Sequence, residues 1–160
     1  MQTMLERRMM RHGLLVCLFG LLFGFVYLFS LLGAISLSPL PISIPMEFPG
    51  DPSRWRAIHT GCLMNGLMVL LFAAVLPKLV LTEAKRKFVA NGSLGAAWGN
   101  TAFYTFGALA SNRGLSLGPN KFGEANLATQ FAFWPAIVFA FILIAVVLVM
   151  LGGIPNNEGD

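Results

Sequence analysis

Charged side chains are scarce in this sequence. Asp, Glu, Lys and Arg together make up 11% of its 160 residues, and 56% of the residues are hydrophobic. An ordinary soluble domain carries about a quarter charged residues, so this composition excludes a soluble globular protein and predicts a protein of the lipid bilayer. At 17.3 kDa the chain has room for a single domain, residues 1–160.

Cysteine is also sparse, and the two cysteines do not have the spacing of a metal site. Cys17 and Cys62 are far apart in the chain, and no CxxC pair occurs, which excludes a disulfide framework and a zinc site. The formal charge of +4 arises from basic residues near the ends of apolar runs rather than from one continuous stripe. No nucleic-acid partner is therefore predicted.

Residues 14–46 contain no charged side chain at all. The apolar core of a cleavable signal peptide is about 7 to 15 residues long, so we expect a membrane span here rather than a signal peptide. Pro39, Pro41 and Pro45 lack the amide hydrogen that a helix needs and predict an extended exit from this span.

The apolar runs predict an all-α integral membrane protein with a four-transmembrane-helix bundle. Each run is near or above the roughly 20 residues needed to cross the hydrocarbon core, and Pro135 predicts a kink in the last one. The predicted spans are residues 14–37, 57–77, 88–112 and 127–154.

The distribution of Lys and Arg predicts the orientation of these spans. Four spans put both termini on one side, together with the second loop. That side carries seven basic residues, and the other side carries four: Arg7, Arg8, Arg11, Lys78, Lys85, Arg86 and Lys87, against Arg54, Arg56, Arg113 and Lys121. The positive-inside rule then predicts cytoplasmic termini, and we expect the bacterial inner membrane.

Two of the predicted spans carry glycines four residues apart. Gly20 and Gly24 lie in the first span, and Gly95 and Gly99 in the third. This spacing allows helix backbones to approach closely. It is equally compatible with packing inside one bundle and with a subunit interface.

The chain contains two histidines, which the predicted topology places at opposite faces of the membrane. His12 lies among basic residues at a span entrance and is interpreted as an interfacial residue. His59 opens the second span, and Asn65 follows about 9 Å deeper, near the depth expected for Tyr104. His59 and Asn65 point about 120° apart on a helix, which would suit a site between subunits, although polar groups that join helices remain an alternative.

Further polar residues lie near the same membrane face. Asn100 shares a helix face with Tyr104, and Asn112 and Arg113 begin a Gly- and Pro-containing loop. A guanidinium group can bind a carboxylate through two hydrogen bonds, so Arg113, with Arg54 and Arg56, is a candidate for a carboxylate-bearing ligand. A solvated loop is the alternative. Trp55 and Trp134 are interpreted as anchors in the interfacial aromatic belt.

Two segments carry a resemblance to a known family. The run WRAIHTGCLMNG from Trp55 to Gly66 resembles the second-span motif of the styrene oxide isomerases. The run WGNTAFYTF from Trp98 to Phe106, with NRGL from Asn112 and GPNKFG from Gly118 to Gly123, is similar to that family's third span and following loop. The length and the four-span layout agree as well.

This resemblance implies an enzyme that converts an aryl epoxide into an aldehyde, a Meinwald rearrangement, with ferric haem b at the interfaces of a homotrimer. It implies that His59 is the axial ligand of the haem iron and that Asn65 and Tyr104 hold the epoxide oxygen. Besides His59, the candidate haem-binding residues are polar side chains near the same face: Arg56, Asn100, Asn112 and Arg113.

Two other functions remain open at this point. An electron-transfer cytochrome would normally need a second axial ligand, and His12 is misplaced for that role. A small-molecule transporter driven by protons typically carries a carboxylate inside the membrane, and none of the four predicted spans contains one.

Overall fold

The computed structural model describes residues 4–155 and is mostly helical. Its long helices are α1 (Met4–Leu32), α2 (Pro52–Val75), α3 (Glu83–Leu109) and α4 (Leu127–Leu151). A 3-10 turn (Leu76–Lys78) extends α2, and two short strands, β1 (Ala34–Ser36) and β2 (Ser43–Pro45), lie between α1 and α2.

Three helices in the described part of the chain are long and apolar enough to cross a membrane: α1, α4, and α2 with its 3-10 extension. Their most apolar windows have mean hydropathies of 2.5, 2.9 and 1.9, respectively. Helix α3 is also long enough to cross a membrane, but it is more polar and is not one of these three candidate spans. The apolar helices indicate a membrane protein, in agreement with the composition.

The proline-rich segment after α1 forms a small antiparallel hairpin, which the all-α expectation did not include. Ala34 pairs with Pro45, Ile35 with Ile44, and Ser36 with Ser43. Pro45, at the end of its strand, occupies a position where a missing amide hydrogen is tolerated. The extended exit predicted from the prolines therefore takes the form of two paired strands.

Side-chain caps fix where three of the helices begin. The Asp51 carboxylate accepts a hydrogen bond from the Ser53 amide at 2.7 Å, and Pro52 occupies the first turn of α2. Thr82 caps α3 through the Lys85 amide, while Asn126 forms a reciprocal capping box at the start of α4. The caps of α2 and α4 lie at the end of the bundle that holds the candidate site described below, whereas the cap of α3 lies at the opposite end of that helix.

Glycines allow the helices to pack closely within one chain. A Cβ atom at Gly95 or at Gly99 would lie 2.3 Å from the ring of Phe139 on α4, and one at Gly20 would lie 3.0 Å from the His59 carbonyl oxygen on α2. Both glycine pairs therefore serve contacts inside the bundle, which is one of the two alternatives that the sequence left open.

At the end of the bundle that contains the N-terminus of α1, ionic and polar contacts join α1 to α3. Arg86 donates to the Glu6 carboxylate at 3.0 Å and to the Leu76 carbonyl oxygen at 3.2 Å. The glutamate is buried, 3% exposed, so removing either charge would leave the other partly desolvated. The pair holds the ends of α1, α2 and α3 together.

The two tryptophans interpreted as belt anchors have different surroundings. Trp134 is 53% exposed on α4. Trp55 is only 8% exposed and stacks on Phe23 of α1, with ring centroids 6.2 Å apart. The belt interpretation is therefore wrong for Trp55, which is part of the α1–α2 core.

Candidate active site

His59 lies on the side of α2 that faces α1. Its half-buried ring packs over Gly20 and Gly24, and its Nδ1 atom is 2.8 Å from the Gly20 carbonyl oxygen. A carbonyl oxygen can only accept, so Nδ1 carries the hydrogen in this contact. In the neutral ring Nε2 then keeps its lone pair, which is the form of imidazole that binds a metal.

Asn65 lies on the side of α2 that faces α3, and its side chain is held at both ends. Its Nδ2 atom donates to the Gly61 carbonyl oxygen at 2.7 Å, and its Oδ1 atom accepts from Asn100 Nδ2 at 2.8 Å. Asn65 is 8% exposed. The amide orientation is therefore fixed, with one Nδ2 hydrogen remaining for another acceptor.

Tyr104 packs on the same turn of α2 that orients Asn65. A Cβ atom at Gly61 would lie 2.3 Å from Tyr104 Cε2 and 2.5 Å from Cζ. Only glycine leaves room for the ring at this approach, so Gly61 both seats the Tyr104 ring and anchors the Asn65 amide through its carbonyl oxygen. Asn65, Asn100 and Tyr104 thus belong to one contact between α2 and α3.

A cavity of about 230 Å³ lies between the first turns of α2 and the last turns of α3. Tyr104, Arg54 and Arg113 line it with polar groups, and Phe103 and Leu115 are among the apolar residues that line it. It combines aromatic and aliphatic surface with hydrogen-bond donors, as small-molecule sites do.

Arg54 and Arg113 are the cationic side chains of this cavity, and each has a donor without a partner. Arg54 Nη1 donates to the carbonyl oxygens of Ala108 and Ala110, at 3.1 and 3.0 Å. The Nε atoms of both arginines are buried and unpaired among the described residues. Buried donors normally find an acceptor, so the pair fits an acceptor-rich ligand such as a carboxylate.

The loop after α3 presents Arg113 in a strained conformation. Its φ angle is 61°, in the left-handed region that residues other than glycine seldom adopt. Its guanidinium carbon lies 4.1 Å from the centroid of the Phe122 ring, a cation–π contact. Backbone strain of this kind often occurs at functional sites.

Asn112 shapes this loop from inside. It is fully buried, donates to the carbonyl oxygens of Ser116 and Gly118, and accepts from the Gly114 amide and the Thr129 hydroxyl group. Its amide is therefore occupied by the loop and by α4. Among the candidate haem-binding residues, Asn112 holds the loop that carries Arg113.

The two histidines do not approach one another in the manner of an axial pair. His12 contacts α3, where its Nδ1 atom accepts from Trp98 Nε1 at 3.2 Å, and the rings meet edge to face. His59 contacts α1 instead. Each histidine therefore has its own neighbouring helix within the chain.

Two of the three arginines that the sequence offers for a carboxylate-bearing ligand, Arg54 and Arg113, line the cavity. Arg56 is exposed and does not line the cavity, whereas Arg54 does. Arg54 shares a helix face with the α3-facing residues, because steps of seven and four residues lead from it to Gly61 and Asn65. Gly61 itself was missed, since its role depends on the approach of α3 and leaves no local signal.

The side chains present are chemically suited to haem. His59 offers Nε2 as an axial ligand, its Nδ1 hydrogen is held by a carbonyl oxygen as is usual for metal-bound histidine, and Arg54 and Arg113 offer unpaired donors for carboxylates. His59 and this arginine pair lie on different sides of α2. Among residues 4–155 no group of three His, Cys, Asp or Glu side chains could hold a metal ion alone.

Comparisons with known proteins identify the family of this chain. The family model described as Styrene oxide isomerase matches residues 5–155. A protein named Styrene-oxide isomerase from Pseudomonas fluorescens is 34% identical over 145 residues, covering 91% of this chain and 85% of that protein. The resemblance found in the two motif segments is thereby confirmed over almost the whole chain. This chain belongs to the styrene oxide isomerase family and is an isomerase.

Proposed function

We propose that the chain converts aryl epoxides of the styrene oxide type into aldehydes of the phenylacetaldehyde type, by a Meinwald rearrangement, with ferric haem b bound through His59. The observation that best supports this proposal is the 2.8 Å contact between His59 Nδ1 and the Gly20 carbonyl oxygen, which leaves Nε2 available to bind iron. The family name of the Pseudomonas fluorescens relative supports the substrate class.

In this proposal α3 is the fourth membrane crossing. Its 27 residues give a length of about 40 Å, enough for the roughly 30 Å hydrocarbon core. Much of its polar character is directed into the bundle: Asn100 bonds to Asn65, and Ser93 and Thr101 are buried. A helix that packs between α2 and α4 does not need an apolar surface all round. Both termini are then cytoplasmic, in the bacterial inner membrane.

The proposed assembly is a homotrimer with haem at its subunit interfaces. His59 faces α1, whereas Tyr104 and Arg113 belong to the opposite side of α2. A haem that binds His59 of one chain would meet Tyr104 and Arg113 of a neighbouring chain. The different directions of these groups around one helix support a shared site.

Bound through His59, a ferric haem would supply Lewis acidity toward the epoxide oxygen, without a change of redox state. Arg113 and Arg54 would hold its carboxylates through their unpaired donors. Arg113 is the primary candidate, and Arg56, Asn100 and Asn112 contribute around it, Asn112 by fixing the loop.

Tyr104 and Asn65 would act on the oxygen as its charge develops. When the benzylic C–O bond breaks, the oxygen becomes more negative, and the Tyr104 hydroxyl group and the remaining Asn65 amide hydrogen stabilise that charge. A hydride then moves from the oxygen-bearing carbon to the benzylic carbon, and the C–O bond becomes the aldehyde carbonyl. No proton has to be removed, so no general base is required.

The apolar surroundings of this site protect the cation from water. Phe103, Leu115 and Ala57 line the cavity beside Tyr104. Water that reached the benzylic carbon would give a diol instead of an aldehyde, and its exclusion favours rearrangement.

The test is to incubate membranes containing the protein with styrene oxide and to separate the products by gas chromatography. Phenylacetaldehyde is expected, together with a haem absorption spectrum in the purified protein, and membranes containing His59→Ala serve as the control. Diol as the main product would contradict the proposal. A low-spin spectrum with two histidine ligands would favour an electron-transfer cytochrome, and haem-free transport of an organic cation a transporter.

A further inference from the structure

The imidazole of His59 occupies a notch that two glycines form on α1. A Cβ atom at Gly24 would lie 2.8 Å from His59 Nδ1 and 2.9 Å from Cε1, closer than real Cβ atoms come to any atom. A Cβ atom at Gly20 would lie 3.0 Å from both the His59 carbonyl oxygen and the Leu63 amide nitrogen. The main chains of α1 and α2 therefore approach closely here, and the ring fits because Gly24 has no side chain.

The same notch supplies the hydrogen-bond acceptor for the ring. The Gly20 carbonyl oxygen lies 2.8 Å from Nδ1. Gly20 therefore determines which ring nitrogen carries the hydrogen, and the space at Gly24 determines where the ring can lie. Carbonyl groups that accept from a metal-bound histidine orient it, and their loss typically weakens metal binding by about 10- to 100-fold.

We propose that Gly20 and Gly24 are positioning residues for His59. Gly20 fixes the tautomer with hydrogen on Nδ1, and Gly24 provides the space that keeps the ring against that carbonyl oxygen with Nε2 directed away from it. The link to haem affinity rests on the proposed function, in which His59 is the axial ligand. The tautomer itself is a property of the protein without haem.

The second histidine offers an internal reference for this tautomer. His12 Nδ1 accepts from the Trp98 indole N–H at 3.2 Å, so its neutral ring carries hydrogen on Nε2. His12 and His59 are the two histidines of the chain. The structure thus assigns opposite tautomers to them, which the nitrogen chemical shifts of histidine distinguish.

The first experiment records the ¹⁵N NMR spectrum of haem-free protein labelled at histidine, at about pH 8.5, two units above the usual histidine pKa of about 6.5. His12→Gln removes one set of signals and assigns the other to His59. Hydrogen on Nδ1 of His59 is expected. Hydrogen on Nε2, or a mixture of the two tautomers in the wild-type protein, would overturn the proposal without the need for any variant at a glycine.

The second experiment titrates haem into the haem-free variants Gly24→Ala and Gly13→Ala and follows the absorption spectrum. Gly13 is a matched control on the same helix, because its Cβ atom would lie 2.9 Å from Leu70 Cγ and 3.0 Å from the Gly66 carbonyl oxygen, equally crowded but away from His59. We expect Gly24→Ala to weaken haem binding by about 10- to 100-fold and to mix the tautomers of His59. Equal losses in the two variants would overturn the proposal.

A third arm separates this proposal from the proposed function. If His59→Ala bound haem as tightly as the wild-type protein, His59 would not be the ligand and the proposed function would fail in that respect. The wild-type tautomer and its disturbance by Gly24→Ala would still be measurable in haem-free protein. If instead His59→Ala lost haem while Gly24→Ala kept both the tautomer and the affinity, the positioning role alone would be refuted.

Discussion

The two sides of α2 hold their polar side chains in different ways. Toward α1, His59 is fixed by a main-chain carbonyl group and by the absence of a side chain at Gly24. Toward α3, Asn65 is fixed by a side-chain partner, Asn100, and by the carbonyl oxygen of Gly61. The α1 side leaves the lone pair of His59 Nε2 available, whereas the α3 side offers hydrogen-bond donors, the Asn65 amide and the Tyr104 hydroxyl group. Under the proposed function the two sides have different roles, a division in which haem binds on the α1 side and the α3 side stabilises the reacting oxygen.

The largest effect is expected on the α1 side. His59→Ala removes the proposed axial ligand, so haem binding and isomerisation should both fall below detection. His12→Ala is the matched control, because it removes the other histidine and its bond to Trp98 but leaves the α1–α2 contact intact. Haem content is measured from the absorption spectrum, and turnover from aldehyde formation. Full activity in His59→Ala membranes would show that turnover does not depend on His59 and would contradict the role proposed for the α1 side.

The next largest effect is expected on the α3 side, and it should concern rate alone. Tyr104→Phe removes a donor to the developing negative charge, and kcat should fall by about 10²- to 10³-fold while the haem spectrum is unchanged. Tyr27→Phe, the same change at the other tyrosine of the chain, should leave kcat unaffected. Loss of haem from Tyr104→Phe would contradict the proposed division.

A smaller effect on the same side should come from the partner of Asn65. Asn100→Ala frees the Asn65 amide to rotate, and the loss of one hydrogen bond of about 1 kcal/mol corresponds to a fall in kcat of roughly 5-fold. The control is Asn91→Ala, which removes another asparagine of α3, one that accepts a hydrogen bond from Arg8 of α1. If Asn100→Ala alone does not change kcat but lowers it further when combined with Tyr104→Phe, the Asn65 amide and the Tyr104 hydroxyl group are redundant donors.

Sequence patterns anticipated parts of this arrangement. Helical periodicity put Asn100 and Tyr104 on one face of α3 and separated His59 from Asn65 around α2, because these relations depend only on 3.6 residues per turn. The family was also recognisable from two motif segments, and the comparisons confirmed it.

Relations between helices were harder to predict. Gly24 and Gly61 matter because a ring from another helix fills the space that they leave, and nothing in their own segments indicates which ring that is. Trp55 has the position of an interfacial anchor in the sequence, but its contact with Phe23 buries it. Arg54 lines the cavity and Arg56 does not, because a shift of two residues moves a side chain to a different side of the helix.

One residue tests whether the division between the two sides is complete. Arg113 lies at the cavity on the α3 side, yet its proposed role is to hold a carboxylate of haem. Arg113→Ala should weaken haem binding by about 10-fold, as expected for loss of a charged hydrogen bond, with little change in kcat at saturating haem. Lys87→Ala removes an equal charge at an exposed position near the start of α3, at the other end of that helix from Arg113, and equal losses in both variants would point to a general electrostatic effect.

The smallest effect should come from the cap that both sides of α2 share. Hydrogen bonds from the Ser53 side chain and main chain, together with the nearby Arg113 and Arg54 guanidinium groups, hold the pKa of Asp51 below its usual value. The carboxylate therefore stabilises the fold fully above the unfolded-chain pKa of about 3.9, and this contribution is lost as the pH falls below that value through the folded-state pKa.

Because Asp51 begins the helix that carries both His59 and Asn65, its removal should not distinguish the two sides. Asp51→Ala should lower the midpoint of thermal unfolding by about 2 to 4 °C at pH 7 and leave both kcat and haem affinity near their wild-type values. Asp51→Asn keeps the cap without the charge, so its midpoint should fall less. An equal fall in both variants would show that the charge beside Arg54 and Arg113 matters more than the cap, and a selective loss of haem affinity would connect Asp51 to the cavity rather than to α2 as a whole.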